Sequence, residues 1–281
     1  MDQKRIIDEF KELVSIEVHS RDERAIADVL KEKLTALGLT VTEDKAGEVL
    51  GGNTGNLYAQ LPGSTDGEPV LFSAHMDRVG NHGHIVPLVK EEEGKIVSDG
   101  TSILAGDDIG GVAAILAMLR EVKEKQIPHG PIEVAFSVCE ETGVEGSRQY
   151  DFSKFRSKSA FVYDASGKAG TIVLAAPSKG RVTIRVHGVT AHAGNEPEKG
   201  LNALKVAADL IMQLPDGRLS PVSTANFSII EAGSATNVVC DLVTITGEQR
   251  SRDAKEYQQI SVDIQAAADR ISEKYHTKIE V

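Results

Sequence analysis

Leu104-Ala105-Gly106-Asp107-Asp108-Ile109-Gly110-Gly111-Val112-Ala113-Ala114-Ile115 decides how the rest of the chain is read. Two adjacent carboxylates stand between a glycine-bracketed loop and a run of small apolar residues that has the composition of a packed helix. Acids in the first turn of a helix are stabilised by its dipole and by backbone N–H groups that lack an intrahelical partner. An N-cap accounts for one acid but leaves the glycines over. Glycine lowers helix propensity, so Gly106, Gly110 and Gly111 point to backbone that passes very close to something else. Either the stretch is an ordinary cap, or Asp107 bridges two metal ions with its neighbours packed tightly behind it. The flanking segments favour the second reading.

Upstream, Pro69-Val70-Leu71-Phe72-Ser73-Ala74-His75-Met76-Asp77 is a continuous apolar run, the pattern of a buried strand, and it ends in His-x-Asp. Downstream the form repeats. Residues 132–138 run into Cys139-Glu140-Glu141-Thr142-Gly143, and residues 160–163 run into Asp164. Between them the pattern predicts a helix from Ile109 to about Lys125. Helices alternating with buried strands predict an α/β fold with a mostly parallel sheet, in which ligands bind beyond the carboxyl ends of the strands. Three strands that each end in His, Asp or Glu are hard to explain by structure alone.

Further out, Ile6, Ile7, Phe10, Leu13 and Val14 recur at helical spacing. Ser20 and Glu23 have the S-x-x-E form of a capping box for a second helix that runs to Leu37 and stops at Gly38. Strands are predicted over 39–43 and 56–61, separated by a glycine-rich loop over 47–55. From Ser178 the character changes. Residues 181–189 alternate as a half-exposed strand, and Leu201, Leu204, Ala208, Ile211 and Leu214 mark a helical face. Strands follow over 226–231 and 238–248, then a helix carrying Ile260, Ile264, Ala267 and Ile271, then a strand from Lys278. This β-α-β-β-α-β order predicts a small ferredoxin-like domain. With the junction placed at Pro177 and Gly180, the chain divides into 1–176 and 177–281.

At 281 residues and 41% hydrophobic, the chain can bury a sizeable core in two domains. Its net charge of −11, with no basic cluster, argues against nucleic acid and anionic membranes as partners. The N-terminus leads into an amphipathic pattern instead of a secretory apolar core, and no stretch approaches the roughly 20 apolar residues of a membrane span. Cys139 and Cys240 lie far apart in apolar runs, which fits a reducing cytoplasm better than a disulfide framework.

His75 and Asp77 are two apart on a strand and project to one side. The economical assignment makes His75 a metal ligand and Asp77 the carboxylate that accepts its other ring N–H; the plain alternative is a strand-end histidine satisfied by a neighbouring acid. Glu140 and Glu141 can both face a site only if the chain has left the strand, as Thr142-Gly143 suggests. Side by side, these like charges need a cation between them unless they form a solvated loop pair. Together His75, Asp107, Glu141 and Asp164 make a hard, oxygen-rich ligand set with one imidazole, suited to a pair of zinc, cobalt or manganese ions. Glu140 is then free to act as general base.

The chain resembles the co-catalytic zinc exopeptidases, a family that includes peptidase T, carboxypeptidase G and aminoacylase. The resemblance rests on Ala74-His75-Met76-Asp77, on Ser98-Asp99-Gly100-Thr101 leading to Gly106-Asp107-Asp108, on Glu140-Glu141-Thr142-Gly143 and on Tyr163-Asp164. It continues through Gly188-Val189-Thr190-Ala191-His192-Ala193-Gly194, Ala235-Thr236-Asn237-Val238 and Gly247-Glu248-Gln249-Arg250. Motif order and spacing are most similar to the peptidase T-like branch. The resemblance implies a metal-dependent tripeptide aminopeptidase, with removal of acyl groups from N-acyl amino acids as the alternative. It also implies two zinc ions, with His75, Asp107 and Asp164 on one, Asp107 and Glu141 on the other, and Glu140 as base. His192, Asn237 and Arg250 would contact substrate from a lid through which the protein forms a homodimer.

The resemblance further implies a catalytic-domain stretch after the lid that brings a last histidine to the second metal, whereas this chain stops in the lid's final strand. The expectation is therefore a truncated or proteolysed form, or a short paralogue with a binding or assembly role. Such a form would hold at most one metal firmly and have negligible activity. His276-Thr277 is similar to the missing pair but follows a lid helix directly, so it is not expected to be a ligand. His82 and His84, in a glycine-rich loop, are expected to be solvated. Arg78 stands where peptidase T has a small polar residue, so it is expected beside the metals as an influence on substrate preference.

Overall fold

Asp2 opens the first helix, α1 (Gln3–Val14), by accepting the Arg5 N–H at 3.3 Å. In the computed structural model, residues 2–80, 84–168 and 170–281 are described, and the chain falls into two units, Met1–Thr171 and Ile172–Val281. The first unit continues with α2 (Arg24–Ala36), β1 (Thr40–Glu43), α3 (Ala46–Leu50), β2 (Leu57–Leu61) and β3 (Val70–His75). Then come β4 (Pro87–Lys90), β5 (Lys95–Ser98), α4 (Gly106–Glu124), β6 (Ile132–Ser137) and β7 (Ser159–Val162).

Five strands form one sheet in the order β1-β2-β6-β3-β7. β6, β3 and β7 run parallel, while β2 pairs antiparallel with both β6 and β1. The parallel set contains the three apolar runs recognised in the sequence, and its carboxyl ends share one edge. β6 is buried along its whole length, which is what sheet burial on both faces requires. Its one acid, Glu133, accepts hydrogen bonds from the Tyr58 hydroxyl and from the backbone N–H groups of Arg156 and Ser157. Helix α4 packs on β3 and α1. Ile115, Leu116, Leu119, Leu13, Leu30 and Phe136 are wholly buried in the shared core, each contributing about 1.5–3 kcal/mol relative to exposure.

Two local expectations are corrected. Ser20 and Glu23 do not cap α2: the N-cap residue Glu23 makes no side-chain cap bond, and the Arg24 N–H donates to Asn53 Oδ1 instead. Their side chains are drawn to buried partners instead: Ser20 donates to Asp77, and Glu23 accepts the Cys139 N–H. The loop over 47–55 also contains α3. A Cβ on Gly47 would lie 2.3 Å from the Thr54 carbonyl oxygen, so glycine stands there for close approach, not for a loose loop. The β4–β5 hairpin, too short and too charged to show periodicity, had no sequence signal.

The second unit contains β8 (Ser178–His187), α5 (Ala203–Ile211), β9 (Gly217–Ser220), β10 (Ser223–Ala232), β11 (Leu242–Ser251), α6 (Ala254–Tyr275) and β12 (Ile279–Glu280). The sheet order is β12-β8-β11-β10-β9, antiparallel throughout. That is the ferredoxin-like arrangement with β9 added at one edge. Asn202 caps α5 and Asp253 caps α6. Ile184, Val186, Val243 and Ile245 meet Val206, Leu210, Ile260 and Ile264 in a separate core. Among the described residues no helix is long and apolar enough to cross a membrane.

Candidate metal centre

The carboxyl edge of the parallel strands receives the loop that opens α4. Ala105 takes a left-handed conformation, and Asp107 and Asp108 are non-helical, so the regular helix begins at Ile109. The His75 Nε2 atom lies 2.9 Å from Asp107 Oδ1 and 4.0 Å from both Glu140 Oε2 and Asp164 Oδ1. Two sets of donor atoms each converge within 4.8 Å: His75, Asp107 and Glu141, and His75, Glu140 and Asp164. All five expected side chains are therefore brought to one place. Asp107, Asp164 and Gly111 also line a cleft of about 350 Å³. A larger groove, about 670 Å³ between α1 and the β4–β5 hairpin, has no histidine in its lining.

Only one of the three glycines is there for close packing. A Cβ on Gly111 would meet Asp108 Oδ1 at 2.3 Å and the Tyr163 carbonyl oxygen at 2.7 Å, so this glycine lets α4 sit against the strand end that carries Asp164. Gly110 has nothing within 4 Å, and Gly106 only the tip of Leu104.

The chain leaves β6 at Cys139, where φ is +50°, earlier than Thr142-Gly143 had implied. This turn lets Glu140 and Glu141 face the same centre. Asp77, wholly buried, accepts the Glu140 N–H at 2.9 Å and the Glu141 N–H at 3.2 Å, as well as the Ser20 hydroxyl at 2.6 Å. His75 Nδ1 lies 2.9 Å from the Asp77 carbonyl oxygen and 3.4 Å from its carboxylate. The imidazole is thus held first by the Asp77 carbonyl oxygen, with the carboxylate that was expected to accept its N–H lying farther off; that carboxylate shapes the glutamate turn. Asp108, which the sequence reading left without a role, accepts the His75 N–H and the Gly111 N–H, each at 3.2 Å. Its only sequence signal was its place beside Asp107. The expectation for Arg78 is corrected: its buried guanidinium turns away to donate to the carbonyl oxygens of Val14 and Ile16, because the end of α1 offers acceptors with no intrahelical partner.

Burial pushes the carboxyls of Glu140, Glu141 and Asp164 above their ordinary values, with the neighbouring carboxylates adding to it and His75 opposing it. Burial pushes Asp108 up to about 8. Burial pulls His75 down, but Asp77 and Asp107 outweigh it and hold the imidazole at about 10. Desolvation also opposes ionisation of Asp77, yet hydrogen bonds from His75, Ser20 and the Glu140 N–H keep it low. Crowded negative charge that retains protons is what a divalent cation would relieve, so the residues present fit a metal.

In the second unit, His192 bridges to Val238, and the Ala193 N–H donates to the Asn237 carbonyl oxygen at 2.9 Å, so His192 and Asn237 lie together. The His192 Nδ1 atom accepts N–H bonds from Gly194 and Asn195, which leaves the ring proton on Nε2. Arg250 lies at the far end of β11, opposite Lys179, with its guanidinium on Glu248 at 2.6 Å. The eight residues of β8 beyond Lys179, at roughly 3.3 Å each, stand between the two locations. His82 lies outside the described residues. His84 is exposed, and His276 caps α6 in a left-handed conformation; neither joins a donor cluster among the described residues.

Residues 56–196 match Peptidase family M28, and residues 177–276 match the Peptidase dimerisation domain. The crystal structure of aminopeptidase PepT from Bacillus cereus ATCC 10987 has a TM-score of 0.94 and 38% identity, over 100% of this chain and 75% of that one. For a tripeptidase from Staphylococcus aureus subsp. aureus Mu50 the values are 0.94 and 34%, over 100% and 74%. A Bacillus subtilis (strain 168) protein, YqjE, is 39% identical over 251 residues, 89% of this chain and 67% of the relative. The chain spans 60% of a carboxypeptidase G2 and 40% of a peptidase T that it also matches.

Proposed function

Because this chain belongs to the peptidase T-like family of metallopeptidases, we propose that it works as a metal-dependent exopeptidase that removes the N-terminal residue of tripeptides. The observation that carries this reading is the convergence of His75, Asp107, Glu140, Glu141 and Asp164 at the end of three parallel strands.

His75, Asp107 and Asp164 would hold one ion, and Glu141, with Asp107 shared, would hold a second. Zinc is the proposed metal, with cobalt or manganese as substitutes that the same donors accept. When bound, the ions supply Lewis acidity that acidifies a water and polarises the scissile carbonyl. Glu140 accepts the proton of that water as its oxygen attacks the carbonyl carbon, then gives the proton to the departing amine as the C–N bond breaks. Its half-buried carboxyl, with a raised proton affinity, suits a group that must both take and return a proton. The His192 Nε2–H can donate to the carbonyl oxygen as negative charge develops there. Arg250 offers its guanidinium fork to the peptide's terminal carboxylate, in place of Glu248.

The match to the dimerisation domain supports a homodimer through the second unit. Two buried free cysteines support a cytoplasmic setting. The experiment is to assay the zinc-loaded intact gene product on tripeptides and on N-acyl amino acids. Release of free N-terminal residues from tripeptides, abolished by a chelator, is the expected result. Cleavage of N-acyl amino acids alone would replace this reading with deacylation.

A further inference from the structure

Glu23 is wholly buried at the start of α2, where it makes no cap. Its Oε1 atom accepts the Arg21 N–H and the Cys139 N–H, each at 3.0 Å, and the Cys139 Sγ lies 3.5 Å away. The other oxygen, Oε2, is buried with no hydrogen-bond partner among the described residues. A buried carboxyl with one unpartnered oxygen costs stability, so packing alone does not account for it. What it holds is a strained point. Cys139 has φ +50°, a conformation that costs a non-glycine residue on the order of 1–3 kcal/mol and persists only where neighbours enforce it.

That point governs the geometry of the metal centre. In an extended strand Glu140 and Glu141 would project to opposite faces; the left-handed residue before them turns both inward. Three successive N–H groups, from Cys139, Glu140 and Glu141, all end on buried carboxylates, the first on Glu23 and the next two on Asp77. Asp77 is tied to His75 and belongs to the site as read from the sequence. Glu23 comes from a different element and touches none of the proposed ligands.

We propose that Glu23 is a positioning residue, an acceptor that locks the Cys139 turn and thereby presents Glu140 and Glu141 to the metals. This rests on the proposed metal site for its consequence, but the lock itself exists in the metal-free chain. What matters is the oxygen at Oε1, not the charge, since Oε2 accepts no hydrogen bond among the described residues.

The test compares Glu23→Gln, Glu23→Ala and Glu23→Asp with Leu30→Ala, a core change in α2 that lowers stability without touching the turn. Amide hydrogen exchange at residues 139–141 is measured on the metal-free chain, and cobalt(II) affinity and absorption spectrum on the loaded one. Glu23→Gln, which keeps the acceptor, should match the wild type in both. Glu23→Ala should speed exchange and weaken cobalt binding by about tenfold or more, with an altered spectrum, as loss of a residue that orients ligands does. Leu30→Ala, at matched thermal stability, should do neither. If Glu23→Ala does not fold, Glu23→Asp decides, because its shorter side chain withdraws the acceptor and should show the same two losses. Wild-type exchange and cobalt binding in folded Glu23→Ala, or in Glu23→Asp, would overturn the proposal. So would a Glu23→Gln as defective as Glu23→Ala. A wild type that binds no cobalt would refute the metal site instead, and the exchange data would still judge Glu23.

Discussion

His75 Nε2 and Asp107 Oδ1 lie 2.9 Å apart across 32 residues of sequence. The contact joins the imidazole of a parallel strand to the first acid of the α4 loop, and a metal held by both would take the place of the proton they share.

The first expectation is one of stoichiometry. On the proposed division His75, Asp107 and Asp164 would give one ion three donors, whereas Glu141 and the shared Asp107 would give the other only two, and zinc sites usually need three or four protein ligands. Equilibrium dialysis followed by elemental analysis should find one firmly held zinc per chain. Two tightly held ions would mean that another group, such as one from a neighbouring chain, completes the second site.

Glu140 and Glu141 should separate by role. In the intact gene product Glu140→Gln should lower turnover by about 10²–10⁴-fold with metal content near normal, because the amide cannot carry the proton. Glu141→Gln should lower metal content too. Equal metal loss in both variants would refute the division.

The glycines in the first turns of α4 make a stability test. Gly111→Ala pushes a methyl into Asp108 and the Tyr163 backbone and should cost about 1–3 kcal/mol, with weaker metal binding as Asp164 shifts. Gly110→Ala meets nothing within 4 Å and should be neutral or stabilise by up to about 1 kcal/mol through helix propensity. Urea unfolding of both variants checks it; similar effects would contradict the close-approach account.

His192 and Arg250 stand a strand's length apart, too far for one short peptide to span within a single second unit. His192 is therefore expected to act on the partner's substrate. Heterodimers of His192→Ala with Glu140→Gln should regain part of the activity, since one hybrid site carries both groups. No recovery in verified heterodimers would place His192 in its own chain's site, or in none.

Away from the site, Glu43 should shape acid stability. Arg24, first of all, together with Lys31, the Gly55 N–H and the Thr54 hydroxyl, holds its carboxyl below the ordinary value of 4.5. A depressed acid contributes fully above its unfolded value and loses that contribution as pH falls. Glu43→Gln should thus cost about 1–2 kcal/mol at pH 7, a modest figure because the ion pairs are partly solvated. The gap from wild type should narrow as pH falls below 4.5. A gap independent of pH would show that shape, not charge, is what Glu43 supplies.

The sequence by itself determined the parallel strands that run into His75, Glu140 and Asp164, the helix from Ile109 and the ferredoxin-like second unit, and it named the five side chains that the fold brings together. Each is written in a local pattern: an apolar run of strand length, a helical period, or acids abutting a breaker. Tertiary structure decided what such patterns cannot express. Ser20-x-x-Glu23 reads locally as a cap, yet the buried Asp77 carboxylate and the Cys139 N–H claim both side chains from across the sheet. Three glycines look alike in sequence, and only Gly111 faces backbone close enough to exclude a methyl. Arg78 follows the His-x-Asp motif but finds its acceptors at the end of α1. Asp108 is one more acid in a row until folding lays it under the His75 backbone. In every case the deciding partner lies at least thirty residues away, or faces the residue only in the packed state. A hydrogen bond or a steric limit of that kind depends on distances in space, and only the packed chain fixes those.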